Sequence, residues 1–160
     1  MVEWSKAFGN IPIYIHEKDR DWVTRRDNSI TFWQGKTHQL NRELTLINCG
    51  GHFAGGTVLH WGNGAEGKGI LLSGDIIQVV ADCRYVSFMY SYPNLIPMSA
   101  EQVDRIVEAV EPFAFDCIYS AFTHREVTQD AKEALHRSAT RYKQAIEGEW
   151  SPAISPNSNH

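Results

Sequence analysis

The chain has 160 residues, a formal net charge of −4 from 15 Lys and Arg against 19 Asp and Glu, and 42% hydrophobic and 21% charged residues. That composition excludes disordered, collagen-like and coiled-coil classes, and it lacks the basic excess of a nucleic-acid-binding surface. No run approaches the roughly 20 apolar residues of a bilayer-crossing helix, and Met1 to Asn10 lack the layout of a signal peptide.

In chain order, the pattern predicts a short helix over 2–8, closed by left-handed backbone at Gly9 and Asn10. A buried strand follows at 11–16, then a charged, solvated helix over 17–26 with Trp22 and Val23 on one apolar edge. Strands are expected at 30–33, 44–48, 57–61 and 69–73, the last two joined as a hairpin through Gly62-Asn63-Gly64. Pro93 and Pro97 break any regular element in the aromatic stretch VSFMYSYPNLIPM. Ser99, with Gln102 three residues on, caps a helix whose Val103, Ile106, Val107 and Val110 form one apolar stripe, ended by Pro112. A strand at 117–121 and a helix over 129–147 complete the pattern, the helix burying Ala131, Leu135, Ala139, Tyr142 and Ile146. Residues 1–147 therefore read as a single α/β domain with strands grouped early and helices flanking them. Residues 148–160, rich in Pro, Ser and Asn, read as a flexible tail.

Three strand ends carry groups with chemistry. His52 lies in the turn Cys49-Gly50-Gly51-His52-Phe53-Ala54-Gly55-Gly56, which leaves its imidazole free to reach a ligand. The strand Ile-Leu-Leu-Ser-Gly presents Asp75 at its tip, and Cys-Ile-Tyr-Ser-Ala is followed three residues later by His124. Imidazole nitrogen and carboxylate oxygen suit zinc, iron or manganese, and the cluster exists only if the fold gathers these ends. Cys49 has ligand-like spacing to His52, although a Cys ending a buried strand is ordinarily a small core residue. His16 and His60, on strands, read as hydrogen-bonded structural histidines, and His38 and His136 as surface residues of a polar loop and a helix. Tyr85, Phe88, Met89, Tyr90 and Tyr92 either wall a substrate pocket or pack against the following helix. The odd set of three cysteines makes no disulfide framework, so a cytoplasmic protein is expected.

GGHFAGGTVLHW followed by GILLSGDIIQ resembles the second half of the metallo-β-lactamase-fold metallo-hydrolases. The resemblance runs from Met1 to about Ile146 and implies an α/β (α+β) αββα sandwich lacking its opening strands. It implies His52, Asp75 and His124 as metal ligands, with His52 and Asp75 also catalytic. The setting of His124, AFTHREV, lacks the glycines common in the family, and no H-x-H motif occurs anywhere. The chain thus resembles an N-terminally shortened member, with at most one site, for zinc or for iron or manganese. The implied activity is hydrolysis of an ester, thioester or phosphoester in a small-molecule substrate by a metal-bound hydroxide, impaired by the missing motif. The alternative is a non-catalytic remnant serving as a binding or interaction module. Loss of opening strands exposes a sheet edge, so a homo-oligomer through that edge is expected.

Overall fold

The computed structural model describes residues 1–149, and most of the expected flexible tail lies outside the described residues. A helix α1 (Val2–Ala7) ends on Gly9 and Asn10, both at positive φ, as the sequence predicts. Strand β1 (Ile13–His16) stops because His16 turns to other work: its Nδ1 accepts from the Lys18 amide and caps a short 3-10 segment, Glu17–Trp22. The expected helix over 17–26 is therefore one tight stretch of six residues. Arg20 pairs locally with Glu17, while Lys18 and Asp19 reach across to Asn48 and to the loop before β5, so the charges form no amphipathic stripe.

The next strands are β2 (Ile30–Trp33), β3 (Thr37–Gln39), β4 (Leu44–Asn48), β5 (Thr57–Trp61) and β6 (Ile70–Gly74). Short pieces follow: β7 (Gln78–Val79), β8 (Val86–Ser87), β9 (Met89–Ser91) and β10 (Ile96–Pro97). The aromatic stretch is thus not wholly irregular. Pro97 sits at the end of a two-residue strand, where a missing N–H is tolerated. Helix α2 (Ala100–Val110), strands β11 (Cys117–Ser120) and β12 (Glu126–Val127), and helix α3 (Ala131–Ile146) complete the described chain. Half of the expected capping box forms: Ser99 Oγ accepts from the Gln102 amide.

Six strands make the main sheet in the order β12-β11-β6-β5-β4-β3, antiparallel except for the parallel pair β6/β11. Alternation gives its two faces different fates. Ile47, Val58, Leu71 and Ile118 point to one face and are buried in a single core with Val103, Ile106 and Val110 of α2 and Ala131 and Leu135 of α3. Ile146, expected on the buried side of α3, is instead 39% exposed in its last turn. The opposite face carries the cross-strand row Leu46–Leu59–Leu72–Tyr119, each directly paired with the next. There Leu72 and Tyr119 remain 41% and 40% exposed.

A second, two-stranded sheet of parallel β1 and β2 starts a layer over one end of that face. The rings of Tyr14 and Trp33 lie 5.7 and 5.8 Å from that of His38 on β3, which pairs with Leu46. His38 therefore belongs to a strand and not to a polar loop. The short Thr-His-Gln segment carries no apolar alternation by which the sequence could have revealed it.

On the helical side, Ser138 is buried and its Oγ accepts from the Val86 amide at 2.9 Å, tying α3 to β8. Ser138→Ala should lower unfolding free energy by ~1–3 kcal/mol, because it strands a buried N–H; urea denaturation measures the loss.

Candidate functional site

Strand direction places the three predicted residues. The loop 49–56 joins β4 to β5, and β5 runs antiparallel to β6, so His52 lies at the end of the sheet where β6 delivers Asp75. Because β11 is parallel to β6, its C-terminal end reaches the same edge, and the Ala121 amide donates to the Gly74 carbonyl at 3.3 Å. The fold thus brings all three segments to one sheet edge.

The side chains do not all share one cleft. His52 and Asp75 line a cleft of about 290 Å³ together with Tyr14, His16, Asp19 and Ser73. His124 is not among its lining residues. It sits at φ 60° in the turn between β11 and β12, exposed, and its carbonyl accepts from the Cys83 thiol at 3.5 Å. Without the glycines of the resembled turn, this left-handed residue is carried toward the Cys83 segment.

The loop that holds His52 is built by close packing. A Cβ on Gly56 would lie 2.3 Å from the Gly50 carbonyl oxygen and 2.7 Å from Ile76 Cδ1, so only hydrogen fits. The Cys49 and Gly50 amides both donate to the Gly56 carbonyl, closing the loop at its base. At Gly55 the vacant side-chain space is filled by Asp19, whose Oδ1 accepts from the Gly55 amide at 2.7 Å. Asp19 is the site residue that sequence reasoning missed. It hides in the run Glu-Lys-Asp-Arg-Asp, where nothing separates it from surface charge.

His52 is oriented on both sides. Its Nδ1 stands 2.8 Å from the Tyr90 carbonyl, which can only accept, so Nδ1 carries the proton and Nε2 the lone pair of the neutral ring. Edge-on contacts link its ring to Phe53 at 4.7 Å and Tyr92 at 5.4 Å, and Phe53 in turn to Trp22 at 5.5 Å. The Tyr92 hydroxyl donates to the Asp75 carbonyl at 3.0 Å. Burial, with the Asp75 charge adding to it, pushes the Tyr92 phenol up to about 12. Of the aromatic stretch, Phe88 packs in the core shared with α2 and against Tyr142, whereas Tyr90 and Tyr92 do not line the cleft of His52 and Asp75 but touch His52 itself.

The other candidates resolve simply. His16 is buried with Nε2 donating to the Gly35 carbonyl at 3.0 Å and Nδ1 already accepting, so both nitrogens are used. His60 Nε2 donates to the Ala114 carbonyl at 2.7 Å. His136 lies on the surface of α3, its Nε2 2.9 Å from a Glu111 carboxylate oxygen. Cys49 is 1% exposed, and burial raises its thiol to about 12, the environment of an inert core cysteine rather than of a metal thiolate.

Catalytic zinc takes about three protein donors and structural zinc four. Among the described residues no group of three or more His, Cys, Asp or Glu is placed to hold a metal ion. The described donors do not by themselves fit a resident metal.

Comparison with known proteins defines the class first. The structure matches a metallo-β-lactamase from Staphylococcus aureus subsp. aureus COL with a TM-score of 0.54 and 14% identity, over 94% of this chain and 48% of that one. The chain therefore has a metallo-β-lactamase fold, matched over about half of the longer protein. At the level of individual proteins, it is 53% identical over 148 residues to the uncharacterized protein YmaE of Bacillus subtilis (strain 168). That match covers 92% of this chain and 53% of the relative, so the chain spans about half the relative's length. No family model matches.

Gly56→Ala should cost ~1–3 kcal/mol in urea unfolding, because the added methyl overpacks the base of the loop. Tyr92 makes stability pH-dependent. Its folded pKa, about 12, lies above the usual tyrosine value near 10, so between the two the folded state keeps a proton that the unfolded state has lost. Stability should fall as pH rises from about 10 to about 12, and Tyr92→Phe should flatten that slope in denaturation measured across the range.

Proposed function

We propose that this chain is the His52- and Asp75-bearing portion of a metal-dependent hydrolase acting on an ester, thioester or phosphoester bond, and not a self-sufficient enzyme. The observation that carries the reading is the shared cleft: two groups 23 positions apart in sequence line one recess at a sheet edge, and one of them has its tautomer set. The fold likeness supports it, and so does the placement of Tyr92 against both residues.

Because the donors present do not fit a metal on their own, no catalytic step is assigned to one. The chain's own contribution is positional. His52 offers Nε2 as a hydrogen-bond or proton acceptor, Asp75 brings negative charge to an exposed strand end, and Phe53 with Trp22 forms an apolar wall beside them. Three free cysteines, with no disulfide among the described residues, support a cytoplasmic setting. No described helix is long and apolar enough to cross a membrane.

Equilibrium dialysis of the 160-residue chain against zinc should give weak binding that drops about tenfold or more on His52→Ala or Asp75→Asn, the loss typical of removing a metal-site partner. His124→Ala should leave it unchanged. The chain alone should show no turnover of p-nitrophenyl acetate or bis(p-nitrophenyl) phosphate. Zinc binding indifferent to His52 would favour the non-catalytic binding module. Sustained turnover, or a stoichiometric site lost on His124→Ala, would overturn the partial-site reading.

A further inference from the structure

A hollow of about 350 Å³ opens beside the two-stranded sheet β1/β2, and the apolar side chains of Ile15, Trp22, Val23, Ile30 and Phe53 line it. The charged groups at its wall are committed to one another or to the backbone. Arg25 pairs with Glu3, and Asp19 accepts from the Gly55 amide. Small-molecule sites are ordinarily recesses of about 300 Å³ or more, mostly apolar with a few placed polar groups. An apolar cavity of about 150 Å³ holds one benzene ring, so this hollow has room for an alkyl chain of medium length.

The hollow is continuous with the cleft of His52 and Asp75: Ile15, Asp19 and Phe53 line both. Phe53 is the partition between them. Its ring meets Trp22 at 5.5 Å and His52 at 4.7 Å. Trp22 and Phe53 remain 71% and 39% exposed, so a chain lying against them would cover apolar surface that faces water. On the cleft side of Phe53 stand the His52 imidazole, with Nε2 free to accept, and the Asp75 carboxylate.

We propose that the hollow takes the apolar acyl chain of the substrate and that its ester or thioester carbonyl lies past Phe53, against His52. The assignment rests on the hydrolase reading and narrows its substrates to acyl esters and thioesters. Hydrolysis joins a water oxygen to the acyl carbon and breaks its bond to the alcohol or thiol, which leaves with one of the water protons. The acid formed sheds the other proton and becomes a carboxylate. That new charge faces Asp19 and Asp75 in the cleft, and like charges repel. The recess therefore favours the neutral substrate over the anionic product.

The test titrates the 160-residue chain, free of metal, with S-octanoyl-N-acetylcysteamine, its S-acetyl counterpart and octanoate in a calorimeter. Each buried methylene is worth about fourfold in affinity, so the octanoyl thioester should bind at least tenfold more tightly than the acetyl one, and octanoate severalfold more weakly than the octanoyl thioester. Trp22→Ala, which removes a wall, and Val23→Asp, which puts a charge into it, should each weaken octanoyl binding tenfold or more with unchanged far-ultraviolet circular dichroism. Octanoyl binding should also shift the His52 ring signals in nuclear magnetic resonance spectra. Equal affinity for the two thioesters, binding indifferent to both variants, or His52 signals that stay in place would overturn the proposal. Octanoate held more tightly than the thioester would overturn it in favour of a fatty-acid-binding site. Zinc binding indifferent to His52 would remove the hydrolase reading without touching these metal-free titrations, so the two failures are distinguishable.

Discussion

The parallel pairing of β6 with β11, inside a sheet otherwise antiparallel, is the constraint on which the candidate site depends. Antiparallel neighbours alternate which end they present, so loops from β4, β5 and β6 can meet only at the edge where β4 ends, β5 begins and β6 ends. A parallel β11 adds its own terminus to that edge, and the return path from β6 to β11 must then run over the outside of the sheet. That path contains α2, which covers the helical face and closes the core. One choice of strand direction thus sets both the burial of one face and the gathering of loops at one end.

Gathering loops is weaker than gathering side chains. His52 is held by a loop whose backbone crosses itself at Gly50 and Gly56, by a carbonyl on Nδ1 and by rings on two sides. Asp75 follows its strand directly and is reached by the Tyr92 hydroxyl at its carbonyl. His124 lies within the five-residue connection 121–125 between β11 and β12, where its own backbone is left-handed, so its side-chain direction is set by the turn and not by the strand. The contrast explains why two of the three groups share a recess while the third stands apart.

Much of this was legible in the sequence. The strands 30–33, 44–48 and 57–61 match residue for residue because alternation of branched apolar side chains is a strong signal, and the glycines around His52 announced a tight turn. Ser99 and the stripe Val103, Ile106 and Val110 gave α2 its start and its buried face. What escaped lacked a local signature. β3 is three residues long, the charged segment 17–22 offers no period to separate a helix from a 3-10 turn, and Asp19 matters only through an amide 36 residues away. The family likeness anticipated the αββα class, and the structure shows its helical half and the beginning of the opposite layer.

The hydrogen bond from the Gly55 amide to Asp19 joins two regions otherwise discussed apart. Asp19 belongs to the short segment that leads out of β1, and Trp22 at the end of that segment leans on Phe53, the residue next to His52. The segment is a clasp with two points of attachment on the His52 loop, and it is anchored beside the two-stranded β1/β2 sheet. Local openings of a protein follow the stability of the weakest cooperative unit to which a group is fastened. The order of the His52 loop is therefore rented from the outer layer: whatever firms up β1 and β2 also lengthens the time the imidazole spends in its set orientation.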